Sequence, residues 1–188
     1  MKPGNASRIL MVATFLLGGA AVAAAGSNAP GPRDAASITK AVRHEIVMYP
    51  YYGIWDNVEF QVADGHVTLT GEVTQPYKKT DIERAVAKAP GVTSVSNNLE
   101  VLPLSSMDNQ LRRQVAFAIY RDPTLSRYGQ GALPSIHVIV DNGHVTLEGV
   151  VSNDFDKQVA GLRASSAGLS FGPVVNNLRV ENPTPKKG

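Results

Sequence analysis

The chain contains one stretch twice. Asp64-Gly-His-Val-Thr-Leu-Thr-Gly-Glu-Val73 returns as Asn142-Gly-His-Val-Thr-Leu-Glu-Gly-Val-Val151, and Asn97-Asn98-Leu99-Glu100-Val101 returns as Asn176-Asn177-Leu178-Arg179-Val180. The two blocks keep their order, and their spacing shifts by a single residue. Internal repetition of this kind dictates architecture, because each copy must fold as one supersecondary unit. Any fold proposed for the chain has to be built twice.

Each copy reads as helix, hairpin, helix, strand. Ile38, Val42, Ile46 and Tyr49 recur at helical spacing, with Ser37 placed to cap the helix; Leu111, Val115, Ala118 and Ile119 do the same in the second copy. Val58, Phe60 and Val62 alternate, as do Ile136, Val138 and Val140. Asp64-Gly65 and Asn142-Gly143 are two-residue hairpin signals, because both turn positions need positive φ. The returning strands run to Gly71 and Gly149. A second helix is marked by Ile82, Val86 and Ala89, with Pro76 in its opening turn, and in the other copy by Phe155, Val159 and Leu162. Closing strands are expected over 92–102 and 174–180.

These elements predict an α+β fold of two tandem αββαβ modules, each a three-stranded mixed sheet packed against two helices. The last strand enters through a helical crossover and should run parallel to the strand before that helix. The boundaries follow: a signal peptide over 1–25, a flexible linker over 26–36, modules over 37–103 and 106–181, and a flexible tail over 182–188. Modules this small bury little apolar surface, so docking between them is expected.

Residues 1–25 carry Lys2 and Arg8, an apolar run from Ile9 to Leu17, and Ala23-Ala24-Ala25 as an A-x-A cleavage site before Gly26. That pattern predicts export to the periplasm. Lys2 and Arg8 account for the formal charge of +2, so the remainder is neutral and no nucleic-acid partner is indicated. The chain has no Cys, which removes disulfides, thiolate metal sites and a lipid-modified Cys anchor.

Catalytic and metal signals are weak. Gly168-Leu169-Ser170-Phe171-Gly172 fits G-x-S-x-G, yet it lies between a helix and the following strand, and no Asp or His follows Ser170. His44, His66, His137 and His144 show no metal-ligand spacing; His66 and His144 recur beside the two turns, which suits a structural role. Asp154 and Asp156 fit the opening turn of the second helix, where negative charge suits the dipole. No enzyme, metal or cofactor is expected.

The recurring pattern of a helix, D-G-x-V-x-L-x-G and G-V-x-x-V-x-N-x-L resembles the BON (bacterial OsmY and nodulation) domain. Asp64 to Gly71 and Gly91 to Leu99 carry it in the first copy, and Asn142 to Gly149 and Val174 to Leu178 in the second. The second copy departs by extra residues around 128–134 and by Ser170-Phe171 where the first has Gly91-Val92. The resemblance implies a periplasmic envelope protein, similar to the osmotically inducible OsmY type, that binds phospholipid or envelope proteins under osmotic or envelope stress.

The first helix of the second copy is the candidate surface. Tyr120 and Phe117 fall about 180° and 240° around from Leu111, opposite the expected core stripe, with Arg113 beside them and Arg112 and Arg121 flanking. One reading is contact with an anionic phospholipid membrane surface, rings at the headgroups and arginines on phosphates. The other is that the rings fill the contact between modules or a gap under the long loop. At the level of function, the alternative to lipid binding is a periplasmic chaperone or protein-interaction module that contacts client polypeptides.

Overall fold

The computed structural model describes residues 34–131, 133–168 and 170–181. The expected signal peptide, most of the linker and the tail lie outside them. Both modules fall within one compact unit.

The first module runs α1 (Ala35–Val47), β1 (Asn57–Ala63), β2 (His66–Val73), α2 (Pro76–Val86), β3 (Ser94–Asn97) and β4 (Glu100–Val101). The second repeats it as α3 (Ser106–Tyr120), β5 (Ile136–Asp141), β6 (His144–Val151), α4 (Asp154–Ser166), β7 (Val175–Asn176) and β8 (Arg179–Val180), with a 3-10 turn at Ser126–Gly129 before β5. In each sheet the middle strand, β2 or β6, pairs antiparallel with the strand before it and parallel with the closing strands. The α+β architecture and the parallel closing strand are those the sequence predicts.

Asp64 and Gly65 have φ of 50° and 83°, Asn142 and Gly143 of 47° and 79°, so both hairpins close on two left-handed residues. Gly71 and Gly149 also have positive φ, 106° and 112°, and meet a second need besides. A Cβ at either would collide with a carbonyl oxygen of the neighbouring strand, that of Asn57 or Ser135.

Several expectations need correction. Asp34, not Ser37, caps α1, accepting a hydrogen bond from the Ala36 backbone at 3.2 Å. The buried face of α4 is Asp156, Ala160 and Ala164, while Phe155 and Leu162 are exposed and Val159 is half-buried. Leu125 and Tyr128, from the longer segment before β5, already fill that core, so small side chains suffice on α4. The closing strands are also interrupted. Leu99 and Leu178 turn into the core, and Asn97 and Asn176 each tie the break to the preceding helix, donating to the Lys79 and Lys157 carbonyls at 2.9 and 2.7 Å. Finally, Phe171 is the counterpart of Thr93. Their backbone N–H groups donate to the matching carbonyls of Gly143 and Gly65. The one-residue shift between copies therefore falls at Gly172-Pro173, where proline lacks an N–H for the ladder and β7 is cut to two residues.

The modules meet through the segment that leads into β1. Ile54 and Trp55 pack against the second module's core. The Val138 N–H donates to the Ile54 carbonyl at 2.7 Å, and His137 Nδ1 lies 2.7 Å from the Asp56 carbonyl oxygen. His137 also stacks at a tilt on Tyr52, with centroids 5.6 Å apart.

Candidate functional site

Helix α3 starts where Ser105 Oγ accepts from the Asp108 N–H at 3.1 Å. Asp108 is itself buried and holds the β5–β6 turn, accepting from the Asn142 and Gly143 N–H groups at 3.1 and 2.8 Å. The inward side of the helix carries Leu111, Val115, Ala116 and Ile119; Ala118, placed in the core stripe by its spacing, is only half-buried.

The buried arc is wider than a single apolar stripe, and it divides the five candidate residues. Arg112 is 4% exposed; its Nη2 donates to the Val140 carbonyl at 2.5 Å and its Nη1 to Asn109 Oδ1 at 2.6 Å. Burial pulls its pKa down, opposed chiefly by Asp108. The Tyr120 ring packs on the second module's core under Gly129, and its hydroxyl donates to the Ile136 carbonyl. Burial raises the Tyr120 pKa well above its ordinary value. These two side chains hold α3 to β5, and the ring fills the space beneath the long segment.

Arg113, Phe117 and Arg121 point outward. Phe117 is 57% exposed, and the Arg121 guanidinium carbon sits 3.9 Å from its ring centroid. Arg127 is engaged elsewhere, paired with Asp156 and Tyr128. Met107, in the first turn of α3, is exposed, and with Phe171 it lines a cavity of about 210 Å³ together with Leu111 and the Asn142-Gly143 turn. Leu104, just before the helix, is 82% exposed. On the wheel Met107 falls about 40° from Leu111, beside the expected core stripe, and Phe171 stands out only as a departure of the second copy from the first. An exposed ring under a guanidinium, with a second arginine on the same outward side, offers dispersion and cationic contacts together.

Nucleophilic chemistry finds no support at Ser170, whose Oγ donates to the Gly172 carbonyl at 2.6 Å. His66 lies between the Ser94 and Ser96 hydroxyls at 2.7 and 3.1 Å, a structural bridge from β2 to β3. Among the described residues no cluster of His, Asp or Glu has the geometry of a metal site.

The BON domain pattern matches residues 34–103 and again residues 108–182. The chain belongs to the BON domain family, carrying two copies in tandem. BON domains are associated with cell-envelope and periplasmic proteins and are generally non-catalytic. Two solved structures share similarity at 15% identity. One is CdsD, a structural protein of the type III secretion system of Chlamydia trachomatis, with a TM-score of 0.31 over 77% of this chain and 61% of that one. The other is the C-terminal domain of CdsD, with a TM-score of 0.31 over 76% and 63%. No curated protein gives a significant match.

Proposed function

We propose that this chain is an exported envelope protein that binds anionic phospholipid surfaces through the outer face of α3, as part of envelope maintenance or the response to osmotic stress. The observation that carries the reading is the outward trio of Arg113, Phe117 and Arg121, with the ring 57% exposed and one guanidinium stacked on it. Phe117 sits at headgroup depth, and Arg113 and Arg121 reach phosphates. Among the described residues no helix is long and apolar enough to cross a membrane. The leader-like residues 1–25 supply the route of export.

Vesicle titration tests it. Phe117→Ala should weaken binding to vesicles containing phosphatidylglycerol by roughly 5- to 30-fold, from about 1–2 kcal/mol of lost ring burial. Its melting temperature should stay within about a degree or two, because the ring leaves the core intact. Arg113→Ala should weaken binding by about 1 kcal/mol at low salt and less at high salt. Equal binding to purely zwitterionic vesicles, or an undiminished Phe117→Ala variant, overturns the proposal. Capture of client polypeptides by the same face would show as sensitivity to Phe117→Ala without any headgroup dependence.

A further inference from the structure

The same strand edge has opposite fates in the two modules. In a hairpin closed by two residues, the positions beside the turn bond across the ladder and alternate positions face away from it. The registers Ala63↔His66 and Asp141↔His144 therefore turn the backbone groups of Val58, Phe60 and Val62, and of Ile136, Val138 and Val140, toward the open edge. In the second module every one of those positions is engaged. Tyr120 donates to the Ile136 carbonyl, Arg112 to the Val140 carbonyl, and the Val138 N–H reaches the Ile54 carbonyl. The covering piece is the turn at residues 53–56 of the first module, closed by the Asp56 N–H on the Gly53 carbonyl at 3.1 Å, and its Ile54 and Trp55 pack against the second module's core. In the first module Tyr52 meets the Val58 backbone, but Phe60 and Val62 find no partner for their edge-facing groups among the described residues.

In front of that edge lies a cleft of about 490 Å³. Thr39, Arg43, Ile46 and Val47 of α1 line one side, with the Arg43 guanidinium 5.9 Å from the Phe60 ring centroid; β1 lines the cleft too, as do Leu133 and Pro134 of the second module. The cleft runs on to Tyr52 and His137, so it is continuous with the junction between modules.

We propose that the β1 edge and this cleft receive an extended segment of another polypeptide as an added strand. The repeat itself argues for the occupant's chemistry. At the equivalent edge α3 side chains take the two outward carbonyls, and the outward N–H of Val138 is taken by a peptide carbonyl, that of Ile54, with its apolar neighbours packed alongside. Paired backbone groups at Phe60 and Val62 supply affinity in this mode, and the apolar wall of Ile46 and Val47 selects side chains. A lipid acyl chain would fill the cleft but leave those N–H groups bare. This site is separate from the outer face of α3 and does not depend on the membrane reading.

The probes are two synthetic peptides added to the whole chain: one with the sequence of Tyr51 to Val58, the stretch that covers the second module's edge, and an alternating Thr-Val octamer. Hydrogen exchange at the Phe60 and Val62 amides should be fast in the free protein and slow at least tenfold with peptide. Val62→Pro should lower peptide affinity at least tenfold while the hairpin survives, because that N–H lies outside the ladder. If Val62→Pro lowers the melting temperature, Val47→Glu tests the same cleft from the helix side without touching the strand. Absence of slowing with either peptide at millimolar concentration, or slowing confined to other amides, overturns the proposal. Vesicles containing phosphatidylglycerol should leave the two amides unchanged, so failure of membrane binding and failure of strand addition are read separately.

Discussion

In the first module, the segment entering the hairpin carries the acid and the second helix carries the base. Asp56, wholly buried, accepts from Lys78 Nζ at 2.7 Å, from the Thr74 N–H and hydroxyl at 2.8 Å each, and from the Gly53 N–H at 3.1 Å. In the second module the polarity is reversed. Asp156 occupies the place of Lys78 on the helix, and the entering segment answers with Tyr128 and Arg127. The Tyr128 hydroxyl accepts from the Ser152 N–H at 2.8 Å, repeating what Asp56 does for Thr74. What the two copies share is therefore a satisfied backbone N–H at the end of the central strand and a tie from that point to the helix. The charges can change places provided both partners change together.

The two ties differ in exposure, and that sets their cost of breakage. The Lys78 and Asp56 side chains are 9% and 0% exposed, whereas Arg127 is 52% exposed. Lys78→Met strands a buried carboxylate and should destabilise the protein by about 3–5 kcal/mol in denaturant unfolding. Asp156→Asn leaves a solvated arginine and a tyrosine with other partners, so about 1–3 kcal/mol is expected. A larger loss from Asp156→Asn than from Lys78→Met would show that exposure does not govern the difference.

The smallest effect belongs to the junction. Burial is the main cause that lowers the His137 pKa, only partly opposed by the Asp56 and Gly53 backbone carbonyls. The unfolded chain takes up this proton near the ordinary histidine value of about 6.5, and the folded chain does so only at lower pH. Stability is thus full above that range and falls with acidification toward the lowered folded value. Melting temperature against pH should show the decline, and His137→Gln should flatten it. Trp55 is the only tryptophan and packs at the junction, so its fluorescence follows opening there. An unchanged slope in His137→Gln would place the acid sensitivity elsewhere.

Much of this was legible because local chemistry repeated. Asp64-Gly65 and Asn142-Gly143 left the hairpins no alternative, and the fold class followed from the order of blocks. The misread places are those where a residue's surroundings come from outside the repeat. Phe155 and Leu162 looked like a core face because nothing local shows that Leu125 and Tyr128 occupy the space. Tyr120 sits opposite Leu111 on a wheel, but the segment containing Gly129 folds over it. Arg112 looked like a surface cation, and its carbonyl partner on β5 lies 28 residues away. Of the candidate patch, the wheel placed Arg113, Phe117 and Arg121 on the open side and misjudged the width of the buried one.

The junction also has a direction in time. Asp56 precedes His137 by 81 residues, so the stretch that covers the second module's open strand emerges first whenever the chain is made or threaded from its N-terminus. When β5 forms, its cover is already tethered nearby at high effective concentration. The second module produced without the first would expose the Val138 N–H and the apolar gap left by Ile54 and Trp55, while Tyr120 and Arg112 still hold the Ile136 and Val140 carbonyls. The cover of Val138 is thus supplied in cis, by the module that comes first in the chain.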